Sequence, residues 1–202
     1  MTKTPRVDND ALLAAGLELM KQNGKPLTKQ LGFGRAMMYT LANGETVRVR
    51  TCNDHILIVV ADQPSGEARL NIEGTDWLLV VMPEIERTPG KARAYLVPTD
   101  VAVEAVRTAH KEWLDTDPNT KGANKTWALW FCKNAPANRS NDFETKWSQY
   151  RLQGEADTKS GSVSETADTG NVKTEVEYAR QRISKAAGVA PDAVKITIEF
   201  GL

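Results

Sequence analysis

The period of the apolar positions changes several times along the chain, and each change marks an element. Between Asp8 and Gly24, Leu13, Leu17 and Met20 recur at helical spacing, and Leu12 and Leu19 widen the stripe. One face of this helix is therefore expected against a sheet, with Glu18 and Lys21 in water. Asp8 or Asp10 can accept the free amide protons of the first turn, and Gly24 supplies a left-handed residue after the last. Lys25 to Arg35, interrupted by Pro26, Gly32 and Gly34, reads as a basic loop.

A hairpin follows. Ala36–Leu41 and Thr46–Thr51 flank Ala42 to Glu45, where Asn43 and Gly44 are expected to supply the positive-φ positions of a tight turn. In its second strand Val47 and Val49 alternate with Arg48 and Arg50, so the valines face a core and the arginines stand together on the opposite face. Ile56–Ala61 and Trp77–Met82 show no alternation, which predicts interior strands covered on both faces. Pro89 and Gly90 turn the chain into a further strand over Lys91–Val97. After Pro98 a helix capped by Thr99 or Asp100 runs to about Leu114, burying Ala102, Val106, Ala109 and Trp113, with His110 packed at the rim. Asp115–Asn124 is a polar loop, Thr126–Cys132 a last short strand, and Asp142–Tyr150 a short helix with Phe143, Trp147 and Tyr150 on one side.

From Gly154 to Asn171 the chain is built almost wholly of Gly, Ser, Thr, Asp, Glu, Lys and Ala, and Val163 is its one large apolar residue. Such a stretch cannot bury enough surface to fix itself and is predicted to be a flexible linker. Beyond it an amphipathic helix over Glu175–Ala187 presents Val176, Ala179, Ile183 and Ala187, and Val194–Phe200 alternates as a strand. The expected fold class is therefore α/β (α+β), with a central mixed sheet of about five to six strands flanked by helices in residues 1–153. A linker at 154–171 and a helix-strand tail at 172–202 complete the expected organisation. One helix and one strand are too few to fold alone, so the tail is expected to dock, to pair with another copy or to meet a protein partner.

Composition changes this picture little until it is divided. Over 202 residues, 26 basic and 26 acidic side chains cancel. Residues 21–50 nevertheless carry six bases against Glu45 alone, and residues 118–153 six against Asp142 and Glu144, about +5 and +4 at ordinary charge states. Residues 51–117 compensate at about −6. Convergence of the two basic segments would suit a phosphate backbone, with Trp127, Trp130 or Trp147 stacking on unpaired bases; separation would make them ordinary solvated faces. Neither a signal peptide nor a membrane span is expected, which makes a cytoplasmic protein with no membrane partner the reading. Cys52 and Cys132 read as structural thiols.

The chain lacks a GxxxxGK[ST] phosphate loop, a GxGxxG opening a helix, a GxSxG elbow and an HExxH zinc helix, so no cofactor is implied. Two histidines at unrelated positions leave little room for acid-base chemistry near neutrality. Asp54, Asp62 and Asp76, at strand ends or entries, are the residues from which a carboxylate-metal site would be built, although exposed acids ordinarily sit there too.

Tyr39–Thr51 (YTLANGETVRVRT), Asp76–Pro83 (DWLLVVMP) and Ala94–Leu114 (AYLVPTDVAVEAVRTAHKEWL) resemble in order and pattern the restriction-endonuclease-like, or PD-(D/E)XK, superfamily over roughly residues 8–115. The resemblance implies a nuclease-like core. It places Arg48, Val49 and Arg50 where the family has an acid or Gln, any residue, and a lysine. Arg48 replaces the metal-binding acid, and Met37–Leu41 offers no upstream Asp, so the resemblance implies a copy that has lost nuclease activity. Arg50 would then contact a phosphate where the lysine once stood.

The leading expectation is a non-catalytic protein associated with DNA or RNA, with Lys25, Lys29, Arg35, Arg48, Arg50 and Lys125 on phosphates. Two other readings stay open. One is a protein-interaction or oligomerisation module acting through the tail, and the other is a divergent metal-dependent nuclease using Asp54 or Asp76.

Overall fold

The computed structural model describes residues 6–30, 37–116, 125–132 and 142–159, together with 180, 183–184, 188 and 190–197 of the tail. The chain divides into two compact units, Met1–Gly161 and Ser162–Leu202. In the first unit α1 (Asn9–Gln22) precedes β1 (Thr28–Lys29), β2 (Met38–Thr40), β3 (Thr46–Thr51), β4 (Ile56–Val60), β5 (Trp77–Pro83) and β6 (Lys91–Pro98). Then come α2 (Thr99–Thr116), β7 (Thr126–Trp130), α3 (Phe143–Lys146) and β8 (Ala156–Asp157). Six strands form one sheet in the order β1-β2-β3-β5-β6-β8, and β4 pairs with β7 in a separate ribbon. The sheet is mixed because β3 and β5 run parallel while its other neighbours are antiparallel. The α+β class read from the apolar pattern is the observed one.

Strand β5 explains the layering. Its side chains are buried on both faces from Leu78 to Pro83, so each face needs a cover. Leu79 and Val81 pack with Val47, Val49 and Tyr39 against Leu12, Ala15 and Leu19 of α1. Leu78, Val80 and Met82 pack on the other side against Leu57 and Val59 of β4, Trp127 and Leu129 of β7, and Val106 of α2. Asp8 caps α1 as expected, its carboxylate accepting from the amides of Asp10 (2.8 Å) and Ala11 (3.2 Å). The helix comes so close to the sheet that a Cβ on Gly16 would sit 2.4 Å from Val81 Cγ2.

The structure corrects several expectations. Strand β4 is not covered on both faces: Leu57 and Val59 are fully buried, but Ile58 and Val60 are each 46% exposed. A ribbon of two strands packs with its inner face alone, and an unbroken apolar run does not reveal that. In the β2-β3 hairpin only Gly44 has positive φ (90°), and its amide donates to Leu41 O (2.9 Å). Leu41 N–H donates to Glu45 O (2.8 Å), so the connection is a three-residue loop with glycine in the left-handed position. Thr28–Lys29, read as loop, forms the short edge strand β1.

Residues 154–159, expected in the linker, belong to the first unit. Ala156 pairs with Ala92, and Asp157 with Lys91, to make β8. The side-chain amide of Asn23 takes both the carbonyl (2.7 Å) and the amide (3.1 Å) of Gln153, and that of Gln22 does the same for Glu155 (3.0 and 3.2 Å). Side-chain partners from the last residue of α1 and its C-cap hold this segment, which is why its own polar composition is no guide. Residues 160–171 lie outside the described residues. In the tail Arg180 and Ile183–Ser184 are helical, Ile183 is 49% exposed, and Pro191–Ala193 form a 3-10 turn. No strand forms over the described positions 194–197, and the rest of the expected strand, 198–200, lies outside them.

Beneath the ribbon lies a buried polar network. His55, at φ 50° in the turn between β3 and β4, bonds Pro83 O through Nε2 (2.7 Å). Its Nδ1 meets Arg93 Nη2 at 3.3 Å, and Arg93 Nη1 donates to Glu144 Oε1 (2.6 Å). With Nε2 donating to a carbonyl, Nδ1 is left to accept from Arg93, which is the neutral imidazole. Burial, then the nearby Arg93 charge, lower the His55 pKa against the opposing Pro83 bond and the acids Glu86 and Glu144. His110 bonds Pro64 O (2.8 Å) and stacks on Trp127 with ring centroids 4.0 Å apart, which places it at the packed rim as expected. Burial lowers its pKa too.

Two outcomes follow for stability. Gly16→Ala should lower it by about 1–3 kcal/mol in chemical denaturation despite better helix propensity, because stiff Val81 cannot move aside. Adding Val81→Ala should recover part of the loss. Folded His55 and His110 titrate below their ordinary value of 6.5, so the unfolded chain binds protons that the folded one refuses. Stability should therefore fall between about pH 7 and pH 5, and His55→Asn, which tolerates the left-handed backbone, should flatten that fall.

Candidate functional site

Strand β3 alternates valine and arginine, and its register sends the two sets to opposite layers. Arg48 lies beside Leu78 and Arg50 beside Val80, so both arginines project on the ribbon side of the sheet. The ribbon covers Leu78 and Val80 completely but stops short of β3. What remains is an open cleft of about 300 Å³, with Met37, Arg48 and Arg50 on one wall and Ile56 and Ile58 of β4 on the other. Arg6, Asn9, Asn53 and Asp54 also line it.

The two guanidinium groups are placed differently. Arg50 Nη2 donates to Ile58 O (2.7 Å) and bridges the cleft. Arg48 makes no hydrogen bond or ion pair with the described residues, and its Nε is buried without an acceptor. Burial, and next the Arg50 charge, hold its pKa below the ordinary arginine value. A guanidinium stays charged nonetheless, so two like charges stand together at a partly dry site.

Asp54 is the acid of the cleft, and two arginines already hold it. Arg87 forms a short ion pair with it, and Arg6 Nη2 donates to its Oδ2 at 3.1 Å. Asn53 keeps Arg6 near by binding both the amide (2.8 Å) and the carbonyl (2.9 Å) of Val7. Three guanidiniums, from Arg6, Arg48 and Arg50, therefore face one carboxylate that Arg87 also neutralises. Cys52 lines the same cleft, but burial pushes its thiol up to about 12, leaving no thiolate for chemistry at neutral pH.

The other basic residues do not gather there. Lys29 pairs with Tyr39, which faces α1, so it sits on the opposite side of the sheet from the cleft. Lys25 is also on the α1 side, its ammonium 5.5 Å from the Trp77 ring centroid. Lys125 donates to Asp62 O (2.5 Å) beyond Val60, outside the cleft. Arg35 lies outside the described residues. The aromatic expectation is also revised: Trp127 and Trp147 are 2% and 3% exposed, inside the core, where no base can stack on them. Trp130 is half-buried.

Each acid considered for a metal has another task. Asp76 accepts from the amide (2.7 Å) and hydroxyl (2.8 Å) of Thr46, which lower its pKa, and Asp62 accepts from the Arg69 amide (2.9 Å). Among the described residues no three His, Cys, Asp or Glu side chains are grouped to hold a metal ion, and no helix is long and apolar enough to cross a membrane. Arg6 is the cleft residue that sequence reasoning missed. Its place depends on the Asn53 contact with Val7, 46 residues away in sequence, which leaves no local signal.

The two arginines should differ in their effect on folding. Arg48→Met removes a buried donor without an acceptor and one of two like charges, and should raise the unfolding free energy in urea by about 1 kcal/mol. Arg50→Met strips the Ile58 carbonyl of its donor and should lower it by a similar amount. No family model matches the chain, and neither the curated proteins nor the solved structures contain a match to it.

Proposed function

We propose that this chain is a cytoplasmic, nucleic-acid-associated protein with a degenerate nuclease-like core, which contacts backbone phosphate through Arg48 and Arg50 and cuts nothing. The observation that carries the reading is the arginine pair itself: two adjacent guanidiniums on one strand, with no carboxylate of their own, opening onto a cleft. Holding them together costs electrostatic free energy, which an anion between them removes. Phosphate oxygens accept from the planar fork of arginine in paired, charge-assisted bonds, better than a point charge such as lysine allows. Arg6, 62% exposed and shared with Arg87 at Asp54, can turn to the same anion while Asp54 keeps a partner.

The resemblance to the restriction-endonuclease-like superfamily points the same way. Arg48 and Arg50 stand where those enzymes keep an acid and a lysine, so the cleft retains cationic contact while lacking carboxylate oxygens for a metal. The binding contribution of Lys25 and Lys29 is expected to be small, since they lie across the sheet.

Fluorescence anisotropy with labelled DNA and RNA at low ionic strength tests this. Binding should weaken linearly in log K against log salt, and the Arg48→Gln/Arg50→Gln double variant should lose affinity and lower that slope by roughly 1–2. A urea melt showing that the double variant remains folded separates the charge effect from folding. A flat titration with every nucleic-acid form at low salt sinks the reading.

A further inference from the structure

The outer face of the β4-β7 ribbon is unusual for an antiparallel ribbon, whose solvent side is ordinarily polar. Ile58 and Val60 are each 46% exposed there, Ile56 is half-buried, and across from them stand Trp130, Ala128 and Thr126 of β7. This apolar face is continuous with the cationic cleft, because Ile56 and Ile58 line it together with Arg48 and Arg50. An occupant therefore meets positive charge and bare apolar surface side by side.

The edge of β4 excludes one kind of occupant. Phe131 N–H donates to His55 O and Ala61 N–H to Lys125 O (both 2.8 Å), so odd-numbered residues of β4 bond β7 and the polar groups of Ile58 and Val60 point to the other edge. There Arg50 holds the Ile58 carbonyl, while Asn71 takes the Val60 amide with its side chain (3.1 Å) and the Val60 carbonyl with its own amide (2.9 Å). A strand from another protein finds three of these four groups already bonded, so no continuous ladder can form there and the occupant lies across the face.

We infer that the site takes single-stranded nucleic acid, with a phosphate between Arg48 and Arg50 and an unpaired base against Ile58 and Val60. The inference rests on the phosphate-binding role proposed above and assigns the form of the ligand. Duplex DNA or RNA would bring charged backbone against the isoleucine and valine, because its bases are stacked inside. A single strand offers phosphate and exposed base faces within one nucleotide, matching the charge and the apolar surface at once.

The experiment compares one labelled oligonucleotide as a single strand, as a blunt duplex with its complement, and as an abasic strand with the same phosphates. The single strand should bind about tenfold or more tightly than either of the others. Ile58→Thr/Val60→Thr, conservative in strand propensity and confined to exposed positions, should erase that preference by lowering single-strand affinity to the level of the duplex and the abasic strand. Equal or tighter duplex binding overturns the inference, as does a single-strand preference that the threonine variant retains; in both cases phosphate contact by Arg48 and Arg50 survives. Loss of all binding removes that contact and the inference together. A thermal melt of the threonine variant matching the parent chain assigns its effect to the surface.

Discussion

Everything in the first unit depends on covering both faces of β5. Its central residues alternate between two apolar clusters, Leu79 and Val81 toward α1, Leu78 and Val80 toward the ribbon, and none of the four is exposed. One helix suffices on the first side because Gly16 lets it approach closely. The second side needs several elements, and the chain supplies them by leaving the sheet after β3, laying β4 over it, and returning through β5 parallel to β3. The cleft is a by-product of that route. Whatever lies over β5 and β6 is too narrow to reach β3, and the strand's outward residues there are arginines.

Charge at the cleft follows from position more than from number. The chain as a whole is neutral, and its lysines at 25, 29 and 125 are divided between the α1 side of the sheet and a ribbon end. Arg48 and Arg50 are concentrated because a strand places residues two apart on one face, a geometry that no solvent-exposed rearrangement undoes. The nearest acid, Asp54, is drawn off by Arg87 and Arg6. Local field here is the product of a strand register and of one competing ion pair.

Local chemistry was the legible part. The Asp8 cap, the stripe of α1, the alternation in β3, the two-sided burial of β5 and the rim position of His110 all follow from residues near one another in sequence. What escaped depends on distant partners. Ile56–Val60 and Trp77–Met82 look alike as apolar runs, yet one lies in a ribbon and the other in the middle of a sheet. Residues 154–158 look like linker because the Gln22 amide that holds Glu155, and the Gly90 backbone that Thr158 bonds, are contributed from far away. At the candidate site the pairing of Arg48 with Arg50 was visible, whereas the arrival of Arg6 and the loss of Lys25 and Lys29 to the far side were not.

The Arg50 bond to the Ile58 carbonyl has a meaning beyond the cleft. An apolar, partly exposed strand at the margin of a ribbon is the kind of segment that seeds cross-β aggregation when its backbone is free to template another copy. Here the usual safeguards, a proline, a bulge or a lysine within the strand, are missing from Ile56–Val60. Protection comes instead from two side chains elsewhere in the chain, Arg50 and Asn71, which occupy the edge from outside. Such a guard holds only while the tertiary structure does, so the aggregation risk of this segment is set by how often the first unit opens and not by the composition of the segment itself.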